Sequence, residues 1–151
     1  MEAAIVAGVG PGTGAALGRA FAHEGYAVGL LSRRRESSEP VAEEIRAGGG
    51  KALAVQADVT DRRSVQAAVA QIRQGLGPIT ALAHNASGFG RGDFLQMDPD
   101  QIRQSFEANV MGAVHLAQAL IPDMLKAGHG FFRDGNQVVT PFNTEDGLNL
   151  I

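Results

Sequence analysis

Short apolar runs alternate with amphipathic stretches along most of the chain. Each run has the length of a buried strand, and each stretch carries apolar residues at helical spacing among polar ones. Turn and capping residues stand between them, as expected where strands are followed by helices. The pattern predicts buried strands over residues 3–8, 26–32, 52–57 and 79–83.

Four helices are predicted after these strands, with their starts taken from capping residues. The last begins at Asp98-Pro99, an N-cap followed by proline in the first turn, and extends to about residue 127. Because strands alternate with helices, we predict an α/β fold, a parallel sheet with helices on both faces. The four helix starts are predicted at residue 13, at Ser37 or Ser38, at Thr60 or Asp61, and at Asp98.

The composition of the chain changes near residue 128, because all of the alanines lie in residues 1–127. Phe131-Phe132 can begin a fifth strand, and Val138–Thr140 can form a strand of its own after an intervening turn. We predict a domain over 1–127 and an atypical C-terminal segment over 128–151. The change has two explanations: a final strand and tail of another composition, or a segment of different origin produced by splicing, a frameshift or truncation.

A glycine-rich segment joins the first predicted strand to the first predicted helix. Glycine has no Cβ, so backbone amides at such a turn can approach a pyrophosphate, and the helix N-terminus adds a positive dipole end. An ordinary turn is the alternative, but a strand before and a helix after are the context of dinucleotide binding. The candidate phosphate-binding residues are Gly8, Gly10, Gly12, Thr13 and Gly14.

The spacing of Gly8, Gly12 and Gly14 resembles the cofactor loop of the short-chain dehydrogenases/reductases. The resemblance covers about residues 3–127. It implies a Rossmann-type, doubly wound sheet with strand order 3-2-1-4-5, here C-terminally truncated, and hydride transfer between a ketone and an alcohol.

Three further motifs carry this resemblance in the expected order. Asp58-Val59 is similar to the family's acidic pair that meets the adenine ring, and Asn109 matches a helix asparagine that orders a catalytic water and helps to position a lysine. The segment 84–87, His-Asn-Ala-Ser, resembles the family's Asn-Asn-Ala-Gly element, with His84 and Ser87 as departures. Asn85 and Ala86 are therefore candidate cofactor-binding residues, although the Asn85 amide can instead tie its turn to a neighbouring strand.

The end of the second strand carries Ser32, Arg33 and Arg34 where NAD-binding folds usually place an acidic residue. A guanidinium can bind a phosphate through two hydrogen bonds, whereas a carboxylate would repel one. A solvated basic loop is the alternative. We predict NADP rather than NAD as the cofactor, with Arg33 and then Arg34 on the 2′-phosphate and Ser32 assisting.

The catalytic residues that the resemblance implies are mostly missing. The family uses a tyrosine, a lysine four residues later and a serine after the fifth strand, but the only tyrosine here is Tyr26 and the only lysines are Lys51 and Lys126. Of that tetrad only Asn109 is present. The resemblance therefore predicts an NAD(P)-dependent oxidoreductase seen as its cofactor-binding portion, with activity left open.

Two alternatives stay beside the enzyme hypothesis. The chain can be an inactive isoform that binds NADP(H) without turnover, or one that pairs with a sibling or with itself through the helix over 98–127, which carries an apolar stripe. The small carbonyl or alcohol substrate cannot be identified from these residues.

Charge and composition exclude several other classes of protein. The net charge of −3, without a long basic run, gives no reason to expect nucleic acid or an anionic membrane as partner. The chain has no cysteine, and its four histidines lack metal-ligand spacing, so we expect no metal site. Without a targeting signal or a membrane-spanning run, a cytoplasmic location is expected.

Overall fold

A computed structural model of the chain describes residues 1–88 and 92–134 and the backbone of 137–143. Strands and helices alternate as predicted, and their bounds agree with the sequence pattern to within a few residues. The elements are β1 Ala3–Ala7, α1 Thr13–His23, β2 Ala27–Ser32, α2 Arg35–Ala47, β3 Ala52–Gln56, α3 Arg62–Leu76, β4 Ile79–His84, α4 Pro99–Phe106, α5 Gly112–Ala127, β5 His129–Asp134 and β6 Gln137–Asn143.

The strands form one sheet in the order β3-β2-β1-β4-β5-β6. The first five are parallel, so the predicted Rossmann-type order 3-2-1-4-5 is confirmed. The sixth strand pairs antiparallel with β5, an addition to the predicted sheet. Since β1 to β4 are parallel, the loops that follow them meet at one edge of the sheet, where open α/β folds bind ligands.

Helices cover both faces of the sheet, as its buried strands require. One apolar cluster lies under α3 and α5 and includes Ile72 and Leu116. The other lies under α1 and α2 and includes Val41 and Ile45. Every residue of β1, β2 and β4 is buried, which explains why these strands read as continuous apolar runs and not as alternating ones.

Three of the four predicted helix starts are correct, and the start of α2 is wrong. The first helix begins at Thr13, as predicted. The Asp61 carboxylate accepts a hydrogen bond from the Arg63 amide at 2.9 Å and caps α3. Asp98 caps α4 in the same way. The second helix begins at Arg35, before both Ser37 and Ser38, because the Ser38 hydroxyl is buried inside the turn and bonds to side-chain and backbone groups there.

The helix predicted over 98–127 is α4 and α5 joined by a π-helical turn, Glu107–Met111. The extra residue of this turn shifts the helical register. Ile102 and Phe106, which precede the turn, are 46% and 53% exposed, whereas Ala113 and Leu120, which follow it, are buried. No helix in the described part of the chain is long and apolar enough to cross a membrane.

Candidate functional site

A cavity of about 1250 Å³ lies at the edge where the parallel strands end. Its walls come from the loops after β1, β2, β3 and β4 and from one side of α4. Nine of the predicted cofactor residues line it: Gly8, Gly10, Ser32, Arg33, Arg34, Asp58, Val59, Asn85 and Ala86.

The glycines between β1 and α1 serve two different purposes. Gly8 has φ +86°, and a Cβ there would lie 2.3 Å from the Ala86 amide nitrogen. A Cβ on Gly14 would lie 2.5 Å from the Gly8 carbonyl oxygen. These two glycines are therefore required by close packing between the loop, α1 and the end of β4.

Gly10 and Gly12 differ, because a Cβ on either would meet no protein atom within 4 Å. Gly12 precedes α1 and provides no side-chain cap, and the first turn of α1 carries no acidic residue. The N-terminus of α1 therefore keeps uncapped backbone amides and its positive dipole end. Packing against other residues does not explain glycine at these two positions, and the open space would let an anion approach the backbone.

Asn85 holds the glycine segment against the end of β4. Its Nδ2 donates to the Gly8 carbonyl at 2.9 Å, and its backbone amide donates to the Ala7 carbonyl at 2.8 Å. The structure thus realises the tying role that the sequence left open beside ribose binding, while Asn85 still lines the cavity.

A basic turn, residues 32–35, follows β2 at the cavity. Arg33 and Arg34 are exposed, and neither guanidinium is paired with another residue that the structure describes. Arg35 instead donates to Glu39 at 2.9 Å. Hydrogen bonds from Arg46 and then Arg35 hold the pKa of Glu39 below its usual range. Two arginines without an ion-pair partner among the described residues therefore line the cavity.

Ser32 is placed differently from its predicted role. It is only 6% exposed, and its hydroxyl donates to the Arg34 carbonyl at 2.7 Å. A second contact, at 2.8 Å, joins it to the Ser38 hydroxyl. The hydroxyl is occupied inside the turn, although Ser32 lines the cavity.

The loop after β3 forms the neighbouring part of the wall, because β3 is paired with β2. One Asp58 oxygen accepts hydrogen bonds from the Thr60 amide at 2.9 Å and the Thr60 hydroxyl at 2.7 Å. Val59 is buried, and its carbonyl accepts a hydrogen bond from His115 Nδ1 at 2.9 Å. These bonds fix a carboxylate and an apolar side chain on one wall, as a base-binding surface needs.

Asn109 lies in the π-helical turn, and its carboxamide is fully engaged with Gly88. Oδ1 accepts from the Gly88 amide and Nδ2 donates to the Gly88 carbonyl, each at 3.1 Å. Asn109 does not line the cavity, and it acts in the structure by holding the loop after β4 against the helix.

His84 is packed inside the protein. It is 2% exposed, its Nδ1 lies 2.8 Å from an Asp134 carboxylate oxygen, and its Nε2 has no partner among the described residues. Nε2 lies against Gly112, where a Cβ would come within 3.2 Å of it. The imidazole therefore joins β4 to β5 and does not line the cavity.

Tyr26 is too far from the cavity to act there. It directly precedes β2, at the edge of the sheet opposite to the cavity, and its ring packs against Phe21 at 5.5 Å. The six residues of β2 separate these edges by about 20 Å.

Some predicted residues lie outside the cavity wall, and sequence reasoning missed part of that wall. Gly12, Thr13, Gly14 and Asn109 do not line the cavity. The side of α4 and the π-helical turn is brought to the wall by the chain path, so no local motif indicated its residues: Gln101, Arg103, Gln104, Ser105, Glu107 and Ala108. The other missed residues flank predicted ones: Val9, Leu31, Ser37, Ala57, Thr60, Ser87 and Gly88.

No group of three His, Asp or Glu residues in the described part of the chain could hold a metal ion.

A sequence model of one protein family, described as short chain dehydrogenase, matches residues 2–131. The chain belongs to the short-chain dehydrogenase family. The resemblance drawn from the glycine loop and its companion motifs is thereby confirmed, and the family is one of oxidoreductases that bind a nicotinamide dinucleotide.

Known short-chain dehydrogenases match this chain over most of its length. Oxidoreductase UcpA of Salmonella typhimurium is 34% identical over 129 residues, which are 85% of this chain and 49% of that protein. A metagenomic short-chain oxidoreductase in complex with NADP has TM-score 0.80 and 28% identity over 87% of this chain and 60% of its own. A 7α-hydroxysteroid dehydrogenase complexed with NADH and 7-oxo glycochenodeoxycholic acid has a TM-score of 0.81 and is 31% identical. The match covers 87% of this chain and 51% of that chain.

The chain spans about half the length of the curated relatives it matches. The two solved relatives carry NADP in one case and NADH in the other. Membership of the short-chain dehydrogenase family therefore leaves the choice between the two cofactors to the residues of this chain.

Proposed function

We propose that this chain binds NADP(H) in the cavity at the carboxyl edge of its sheet. In this proposal residues 1–127 form the cofactor-binding domain, and 128–151 are an atypical C-terminal segment that includes the fifth strand. The observation that carries the proposal is the pair of guanidinium groups, Arg33 and Arg34, which have no partner among the described residues and lie on a cavity that Gly8 and Gly10 also line.

The glycine loop supports the pyrophosphate half of the proposal. Gly10 and Gly12 leave open space over the backbone, and the N-terminus of α1 presents uncapped amides next to them. A diphosphate there would gain charge-assisted hydrogen bonds from Thr13 and Gly14 amides without displacing a side chain.

The basic turn supports 2′-phosphate recognition. A 2′-phosphate adds a dianion to the adenosine ribose, and a guanidinium matches its geometry. Arg35 is held by Glu39, which leaves Arg33 and Arg34 for the cofactor. In the loop after β3, Asp58 and Val59 are suited to the adenine ring, as the family resemblance implies.

A charge-reversal variant tests this proposal. Arg33→Asp removes a charge-assisted bond and adds repulsion, so we expect NADPH affinity to fall about 100-fold and NADH affinity to change by less than about threefold. The readout is the fluorescence of bound reduced cofactor. Lys51→Asp, an equal charge reversal at an exposed site before β3, is the control and should affect neither cofactor. Equal losses for both cofactors in Arg33→Asp would contradict 2′-phosphate recognition.

We further propose that the 151-residue chain holds the cofactor without turning it over. Bound nicotinamide supplies a hydride, but ketone or alcohol chemistry also needs a proton donor near the substrate oxygen. Tyr26 lies across the sheet from the cavity, and the chain has no Tyr-x-x-x-Lys pair. NADPH absorbance in the presence of a panel of ketones should stay constant while cofactor fluorescence still reports binding.

A second proposal concerns association of the chain with another copy of itself. Ile102, Phe106, Val110 and Val114 recur at four-residue spacing along the α4–α5 helix, and all four are exposed. Exposed apolar stripes of this kind are typical of helix-pairing surfaces. Phe106→Glu should shift the sedimentation of the chain from dimer to monomer, whereas Leu125→Glu, an exposed site outside the stripe, should not. A monomeric wild type would contradict this proposal.

A further inference from the structure

Two buried serine hydroxyls lie beneath the basic turn. Ser38, in the first part of α2, is completely buried, and Ser32, at the end of β2, is 6% exposed. Their Oγ atoms are 2.8 Å apart. A buried hydroxyl is costly unless it is hydrogen-bonded, so this pair has a definite structural role.

The two serine hydroxyls contact backbone carbonyls of the arginine turn. Ser32 Oγ donates to the Arg34 carbonyl at 2.7 Å, and Ser38 Oγ contacts the Arg35 carbonyl at 3.2 Å. The Arg34 carbonyl also accepts the Ser37 amide at 3.0 Å, which closes the turn. The two hydroxyls thus connect the end of β2, the turn and the first part of α2.

We infer that Ser38 is a positioning residue for 2′-phosphate recognition, acting through Ser32 on the backbone that carries Arg33 and Arg34. This inference rests on the proposed NADP(H) function. Exposed arginine side chains lose rotamer freedom when they bind, and a backbone that is already fixed adds no further ordering cost. Ser38 is outside the cavity wall, so its contribution is to the order of the turn and not to contact with the cofactor.

Ser38→Ala removes the hydroxyl that contacts Ser32, and so tests whether this contact positions the arginine turn. Without the Ser38 hydroxyl, Ser32 can still donate to the Arg34 carbonyl, so no buried donor is left without a partner. The chain should therefore stay folded while the turn is held less firmly. We expect NADPH affinity to fall about three- to tenfold and NADH affinity to stay within about twofold.

Two further variants separate positioning from a merely structural effect. Ser38→Cys keeps a side chain of similar shape but provides only a weak hydrogen-bond donor, and it should behave like Ser38→Ala. Thr80→Val removes a buried hydroxyl bond to Glu2 at the start of β4, far from the cavity. It should lower the melting temperature without changing the NADPH-to-NADH affinity ratio.

The outcomes distinguish this inference from the proposed function. If Arg33→Asp changes the cofactor ratio and Ser38→Ala does not, the positioning role is overturned and the NADP(H) proposal stands. If Arg33→Asp leaves the ratio unchanged, the proposed function itself fails. If Ser38→Cys matches wild type, packing volume and not hydrogen bonding controls the turn, which also overturns the inference.

Discussion

At the scale of single residues, the glycine loop shows what a motif can predict. Its position correctly indicated a turn between a strand and a helix, because that property is local. It could not separate Gly8 and Gly14, which pack against other segments, from Gly10 and Gly12, which face open space. For Gly8 that distinction depends on Ala86, a residue far along the chain, and for Gly14 it depends on how the loop folds back over α1.

The distinction gives a paired prediction. Gly8→Ala places a Cβ 2.3 Å from a backbone nitrogen at φ +86°, so we expect it to lower the free energy of unfolding by about 3 kcal/mol or more. Gly10→Ala meets no protein atom and should change that free energy by less than about 0.5 kcal/mol. The same Gly10→Ala variant should nevertheless weaken NADPH binding, because its methyl group occupies space proposed for the pyrophosphate.

Urea unfolding and NADPH titration of both variants check this pair. A stable Gly8→Ala protein would contradict the packing argument. Unchanged NADPH affinity in Gly10→Ala would show that the open space above the loop is not used by the cofactor.

At the scale of elements, local signals predicted some boundaries and tertiary contacts decided others. Asp61 and Asp98 cap α3 and α4 as their sequences indicate, since an N-cap bond is made within a few residues. The start of α2 was mispredicted because Ser38 bonds to Ser32 on a different element. The π-helical turn was not foreseen either, because it accompanies the contact of Asn109 with Gly88.

An ion pair between Glu2 and His129 joins the start of β1 to the start of β5, at the edge of the sheet away from the cavity. His129 Nε2 lies 2.9 Å from a Glu2 oxygen, and Thr80 also donates to that carboxylate. The hydrogen bond from His129, followed by that from Thr80, lowers the pKa of Glu2. The same bond raises the pKa of His129.

These directions define a pH window. The lowered pKa of Glu2 gives stability that is complete above its ordinary value of 4.5 and is lost as pH falls through the folded-state value. The raised pKa of His129 gives stability that is complete below its ordinary value of 6.5 and is lost as pH rises through the folded-state value. Both contributions are therefore complete between those two ordinary values.

We expect Glu2→Gln to lower the free energy of unfolding by about 0.5 kcal/mol near pH 5.5, since both side chains are more than a third exposed and the solvent screens their attraction. The difference from wild type should be smaller at about pH 8.5, because the contribution of His129 is lost as pH rises through its raised pKa. Urea unfolding of both proteins at the two pH values tests this. A difference that grows at the higher pH would contradict the assignment.

At the scale of the whole molecule, alternation of strands and helices was sufficient for an α/β sheet, and the family resemblance supplied its order. The antiparallel β6 was not placed by that reasoning, because residues 137–143 carry a strand signal that does not specify a partner. The side of α4 that closes the cavity was missed for a similar reason: it is brought there by the chain path and by no local motif.

The central claim is that this cavity recognises adenosine carrying a 2′-phosphate. Calorimetric titration of the wild-type chain with adenosine 2′,5′-bisphosphate and with adenosine 5′-monophosphate tests it without the nicotinamide. Since charge-assisted bonds to Arg33 and Arg34 contribute about 1.5–3 kcal/mol, the bisphosphate should bind about 10- to 100-fold more tightly. Equal affinities, or no binding of either nucleotide by the folded chain, would contradict the account.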